Sequence, residues 1–200
     1  MAELKFKYGT MASGKSLHLL STAHQFKINN IPYQLLKSSI DTRDNNVISS
    51  RIGIEEPCIT IQPDDNNIIK HINIFDGVKW ILVDEAQFLT PNQVDELAFI
   101  VDKFNINIVC YGLRTDYLTH LFEGSRRLFE VADSFEELPS YCECGNKNSV
   151  NARIKENGAI DFEEGNQIEI GGDSKYKSMC RHCFAKALLD IYEEAEEIIE

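Results

Sequence analysis

The sequence predicts an α/β protein: a domain with a mostly parallel central sheet, then a small cysteine-bearing domain that carries a loop. Three observations predict it. Short apolar runs alternate with helix-like patterns through the first two-thirds of the chain. One run, Trp80-Ile81-Leu82-Val83, is apolar throughout, as a strand buried on both faces requires. Near Pro139 the composition shifts to Cys, Gly, Asn and charged residues. The expected organisation is therefore residues 1–138, residues 139–192, and an acidic tail over 193–200.

Leu4–Tyr8 reads as a short strand running into a Gly-containing loop, and Lys15–Phe26 as a helix turning Leu19, Leu20 and Ala23 inward. Pro32–Leu36 is a second strand, and Cys58–Ile61, bounded by Pro57 and Pro63, a third. After the buried run at Trp80, Thr90-Pro91 opens a helix, because Thr caps and Pro suits the first helical position. Val94, Leu97, Ala98 and Val101 follow at helical spacing. Ile106–Tyr111 is a further strand, ending at Gly112.

With 20 basic and 32 acidic residues the net charge is −12, which opposes wrapping nucleic acid. No apolar run reaches the roughly 20 residues that span a bilayer, and the charged N-terminus does not resemble a signal peptide. A cytoplasmic protein without a membrane partner is the expectation. Glu193, Glu194, Glu196, Glu197 and Glu200 form a solvated tail.

Gly9-Thr10-Met11-Ala12-Ser13-Gly14-Lys15-Ser16 matches G-x-x-x-x-G-K-[ST] at every fixed position, between a strand and a helix. Glycines let backbone N–H groups close around phosphate oxygens, and the helix N-terminus adds positive potential. Lys15 would neutralise the transferring phosphate, and Ser16 would ligate Mg²⁺. Asp84-Glu85 follows the buried strand directly. Asp84 suits a Mg²⁺ partner; Glu85, pointing the other way if the strand continues, suits a base facing a substrate hydroxyl. Asp41-Thr42-Arg43 adds a carboxylate to reach the metal through water and a cation for the phosphoryl charge.

Cys58 and Cys110 lie in apolar runs and read as small buried residues. Cys142-Glu143-Cys144-Gly145 and Cys180-Arg181-His182-Cys183 read as a structural Cys₄ zinc site. A labile dithiol, or three cysteines completed by His182, are the alternatives. Such a zinc would staple a region with few apolar residues of its own.

Those motifs resemble one family over nearly the whole chain: the cytosolic-type (type II) thymidine kinases, with the C-x-C pair resembling the bacterial and phage branch. The likeness extends through Ser50-Arg51-Ile52-Gly53, Asp84-Glu85-Ala86-Gln87-Phe88, Tyr111-Gly112-Leu113-Arg114-Thr115-Asp116-Tyr117 and Leu121-Phe122-Glu123-Gly124-Ser125. Gly165-Asn166-Gln167 and Ile170-Gly171-Gly172-Asp173 with Tyr176 complete it. The resemblance implies a RecA-like first domain, a zinc-ribbon-like second one, and transfer of the γ-phosphate of ATP to the 5′-hydroxyl of thymidine in nucleotide salvage. It makes Glu85 the catalytic base, with Lys15 and Arg43 beside it, and puts Asp84, Glu85, Ala86 and Gln87 on the donor side with the 9–16 loop. Met11, Phe88, Leu113, Tyr117, Phe122, Ile170 and Tyr176 would surround the nucleoside, although Phe122 fits a core position equally well. A mobile lid within Asn151–Tyr176 would read the base. A homotetramer and feedback by thymidine triphosphate are also implied. The rival readings are an ATPase in which Glu85 activates water, and a zinc-ribbon nucleic-acid binder, which the acidic balance disfavours.

Overall fold

The computed structural model describes residues 1–41, 46–163, 165 and 175–189. Thr42 and Arg43, Ile170 and the 193–200 tail lie outside them. The strands are β1 (Leu4–Gly9), β2 (Tyr33–Ser38), β3 (Val47–Ser49), β4 (Glu55–Pro57), β5 (Ile59–Ile61), β6 (Trp80–Asp84), β7 (Asn107–Leu113), β8 (Ser134–Glu137), β9 (Val150–Arg153) and β10 (Tyr176–Met179). The helices are α1 (Lys15–Ile28), α2 (Pro91–Phe104) and α3 (Glu123–Val131); residues 181–189 are helical as well. By contacts the chain divides into two compact units. Met1–Gly9, Gly14–Arg114 and Leu121–Leu138 form the first; Thr10–Ser13, Thr115–His120 and Pro139–Glu200 form the second.

The first unit is a six-stranded sheet in the order β5-β2-β6-β7-β1-β8, parallel at every pairing. Side chains alternate across a strand, so neighbouring residues enter opposite cores. Ile81 and Val83 of β6, with Ile108 and Cys110 of β7, pack with Val94, Leu97 and Val101 of α2 and Leu128 of α3. Leu82, Val109 and Tyr111 pack instead with Leu19, Leu20 and Ala23 of α1. Helices on both faces explain the unbroken apolar run of β6.

Thr90 caps α2 through a full capping box. Its side chain accepts from Gln93 N, and Gln93 Oε1 accepts from Thr90 N at 3.0 Å. Ala98 is half-buried, while Ile100 completes the buried stripe. Cys110 is buried as expected; Cys58 is half-buried and precedes β5, because the segment before it is an exposed hairpin strand. Ser50-Arg51-Ile52-Gly53 is the tip of that hairpin, where β3 and β4 pair antiparallel and Gly53 takes φ 81°.

The second unit holds a two-stranded antiparallel ribbon, β9 against β10. The span expected to contain the lid, Asn151–Tyr176, begins and ends in strand, where β9 and β10 pair. Val150, Ala152 and Met179 pack with Cys142 and Cys180 in a small core of its own. Among the described residues no helix is long and apolar enough to cross a membrane.

Asp65 ties together the 62–71 segment. Its carboxylate accepts from Lys70 Nζ and from Gln62 N, and lies 3.0 Å from His71 Nε2. The Lys70 hydrogen bond, with help from Gln62 and His71, holds its acid down at about 2. A carboxyl depressed below its unfolded value stabilises the fold above about pH 4 and ceases to as pH falls through about 2. Asp65→Asn is thus expected to lower the urea midpoint at pH 6, with the gap from wild type closing as the pH approaches 2. A gap constant with pH would assign Asp65 a merely steric role.

Candidate active site

β6 ends at Asp84, which is 4% exposed. Ser16, at the start of α1, donates from Oγ to Asp84 Oδ2 at 2.9 Å. Burial pushes the Asp84 acid up to about 7, the Glu85 carboxylate adding to the rise while the Ser16 hydrogen bond and the Lys15 charge oppose it. Two oxygen ligands held together in this way fit a hard divalent cation, which would supply the charge that burial removes.

Glu85 does not continue the strand, so its direction is not set by strand alternation. Its backbone is left-handed at φ 52°, and Ala86–Phe88 forms a 3-10 turn in which Phe88 N donates to Glu85 O. The left-handed region costs a non-glycine residue roughly 1 kcal/mol, so the surroundings must hold the turn. Gln87 is one restraint. Its Nε2 donates to Glu85 Oε2 at 2.6 Å, and its Oε1 accepts from Leu113 N at 3.0 Å. The Leu113 carbonyl in turn accepts from Ser125 Oγ at 2.5 Å.

Two glycines permit this closeness. A Cβ on Gly112 would lie 2.8 Å from Gln87 Oε1, and one on Gly124 would lie 2.6 Å from the carbonyls of both Ala86 and Leu89. The N-terminus of α3 therefore presses directly on the turn that carries Glu85. Phe122, 5% exposed, immediately precedes α3 and meets half-buried Phe88 edge-on, with ring centroids 5.7 Å apart. Sequence reading missed α3, although Gly112 and Gly124 stand in motifs it quoted.

Asp41 was expected to reach the metal. It is 6% exposed and ion-paired with Lys37 Nζ at 3.0 Å. Lys37 is itself 3% exposed and stands beside Asp84 in the β2–β6 register. Nothing in the sequence marked Lys37. Arg43 and Ile170 fall outside the described residues.

Within the second unit, Ala12 is left-handed at φ 60°, and Ser13 Oγ is buried with no hydrogen-bond partner among the described residues. Tyr117, 2% exposed, lies under the Arg153 guanidinium, 4.2 Å from ring centroid to carbon. Arg153 also reaches Asp161 Oδ2 at 2.8 Å and the Glu163 carbonyl at 2.7 Å. Tyr176 pairs with Arg153 across the ribbon.

The sulfurs of Cys142, Cys144, Cys180 and Cys183 all lie within 4.8 Å of one another, with Cys144 and Cys180 at 3.6 Å. Four thiolates around tetrahedral zinc are about 3.8 Å apart, from the 2.3 Å Zn–S bond. The spacing fits zinc, and none of the four is in a disulfide. Backbone N–H groups turned toward Cys142 and Cys180 lower their thiol pKa values, whereas the Cys144 and Cys180 sulfurs push Cys183 up, to about 12. A dication offsets that crowding. His182 is exposed and is not in the cluster.

The family model described as thymidine kinase matches residues 2–184. The chain is 42% identical over 191 residues to a thymidine kinase of Zymomonas mobilis, covering 94% of this chain and 98% of that one. It is 38% identical over 200 residues to one from Rhodopirellula baltica, covering 98% and 93%. Against the thymidine kinase of Enterobacteria phage T4 the identity is 43% over 191 residues, covering 90% and 94%.

Replacing Gly124 by Ala should cost about 1–3 kcal/mol, as overpacking against fixed backbone does. Urea unfolding measures it, and an unchanged midpoint would show that α3 does not press on the Glu85 turn.

Proposed function

The chain belongs to the thymidine kinase family and is an ATP-dependent phosphotransferase acting on thymidine, and from that premise we propose how its own residues divide the work. The 9–16 loop and Lys15 take the donor phosphates. Ser16 and Asp84 would hold Mg²⁺, which would supply positive charge to those phosphates. Asp41 acts at the margin of that site, its charge fixed by Lys37. Glu85 accepts the proton of the thymidine 5′-hydroxyl as that oxygen forms its bond to the γ-phosphorus and the bond to the ADP oxygen breaks. Arg43 would stabilise the charge on the phosphoryl group in transfer.

The observation that carries this division is the Ser16–Asp84 hydrogen bond, beside a Glu85 that Gln87 holds in a left-handed turn. A buried acid joined to a P-loop hydroxyl fits a cation site. A neighbouring carboxylate held by an amide fits a positioned base. In the first unit Phe88, Leu113 and Phe122 are the residues we assign to the thymine ring, an apolar face suited to aromatic walls. Met11, Tyr117, Ile170 and Tyr176 are assigned to the nucleoside on family likeness. Residues 139–192 would form the zinc-binding and lid domain, with zinc in a structural role because four thiolates leave no position for water. Use of deoxyuridine, feedback by thymidine triphosphate, a homotetramer and a cytoplasmic setting complete the proposal.

Transfer of labelled γ-phosphate from ATP with Mg²⁺ tests it, comparing thymidine, deoxyuridine, deoxycytidine and no nucleoside. Glu85→Gln should bind ATP and thymidine normally yet lose roughly 10²–10⁴-fold in kcat. Near wild-type turnover in that variant would remove Glu85 as the base. Metal analysis should find one zinc per chain, and chelation should lower the melting temperature together with thymidine affinity. A zinc-free preparation with full stability would end the staple role.

A further inference from the structure

Met11, the third residue of the phosphate loop, has both backbone polar groups taken by side chains of the β9–β10 ribbon. Its N–H donates to Asn151 Oδ1 at 2.7 Å, and its carbonyl accepts from Ser178 Oγ at 2.8 Å. Asn151 on β9 and Ser178 on β10 stand directly opposite each other, with Oδ1 and Oγ 3.3 Å apart. One residue earlier, Thr10 Oγ1 lies 2.7 Å from Ser140 Oγ, which also accepts from Asn148 Nδ2 at 2.9 Å. All of these residues belong to the second unit.

We propose that Asn151 and Ser178 are positioning residues for the phosphate donor, acting through the Met11 peptides. In a planar trans peptide the C=O and the following N–H point in opposite directions. By fixing the Met11 carbonyl, Ser178 therefore also aims the Ala12 N–H. Asn151 fixes the preceding peptide in the same way, and because the Met11 N–H is taken, the anion cradle begins after it. Ala12 sits at φ 60°, a conformation penalised for any residue with a Cβ, and persists where neighbours over-determine it. A clamp on the residue just before it is such a restraint.

The clamp is also close to the thiolates. Ser178 is followed by Met179 and Cys180, and Val150, beside Asn151, packs with Cys142 and Cys180. Order in the four-cysteine centre is thereby communicated to the loop that receives ATP. This inference rests on residues 9–16 being the phosphate loop.

Calorimetric binding of a non-hydrolysable ATP analogue with Mg²⁺, without thymidine, tests the clamp in the full chain. Asn151→Ala and Ser178→Ala are each expected to weaken binding about five- to tenfold, the worth of one hydrogen bond. In turnover, KM for ATP should rise more than kcat falls. Ser178→Thr keeps the donor without adding charge and should restore binding, whereas Ser178→Val, of similar size but without the hydroxyl, should not. Lys15→Ala is the control for the loop itself. If it abolishes binding while folded Asn151→Ala and Ser178→Ala bind as wild type, the clamp is wrong and the loop stands. If Lys15→Ala also binds normally, the loop reading fails. Should Asn151→Ala not fold, Ser178→Ala decides alone.

Discussion

Burial of the Asp84 carboxyl at the end of β6 is the constraint that the rest of the first unit answers. A carboxylate taken out of water is costly unless a hydrogen bond, a cation or a proton compensates. Here Ser16 provides the hydrogen bond, and it can do so because α1 starts at Lys15, so that Ser16 lies in its first turn. The same requirement explains the neighbouring pair. Lys37 and Asp41 are both nearly inaccessible, and neither charge would be tolerated there alone. Each buried polar group thus has its own partner, and the parallel sheet sets the two pairs near each other by placing Lys37 opposite Asp84.

The second requirement is steric. Glu85 leaves the sheet in a conformation that a glutamate ordinarily avoids, so something must close around it. Gln87 closes one side by hydrogen bonds, and the carbonyls of Ala86 and Leu89 meet α3 at Gly124 on the other. Chemistry and packing are thereby the same problem at this turn. If Glu85 is the proposed base, the carboxylate that must point in one direction is built on backbone with nowhere else to go.

How much of this was legible follows from what each residue type signals. The β6 run and the Thr90-Pro91 start of α2 were plain, because burial on both faces and helix capping each leave a local mark. The eight-residue phosphate motif and the cysteine spacings were plain as well, because their chemistry admits few other residues. α3 was not. Its buried positions are Gly124, Ser125 and Leu128, two of them small residues that carry little apolar signal, and the helix is short. The Glu85 turn is not legible, because a strand's end is decided by distant contacts, at Gly112 and Gly124, and not by the sequence of the strand. Lys37, Asn151 and Ser178 were invisible for the same reason: each acts on a residue that only the fold brings near.

The net charge of −12 makes phosphate binding look improbable until distance is considered. At physiological ionic strength the Debye length is about 8 Å, so most surface carboxylates are screened from a bound anion. Under the proposed reading, what a phosphate would meet at close range is different: Lys15, the N-terminal end of α1, and backbone N–H groups of the 9–16 segment, in which Ala12 and Gly14 both have positive φ. Orientation therefore matters more than total charge. A backbone N–H carries only a partial charge and attracts an anion only along its own direction, so a peptide that rotates loses most of that attraction. An acidic protein that receives ATP must accordingly keep its few favourable dipoles fixed, and restraints on the loop backbone serve that end better than added basic side chains would.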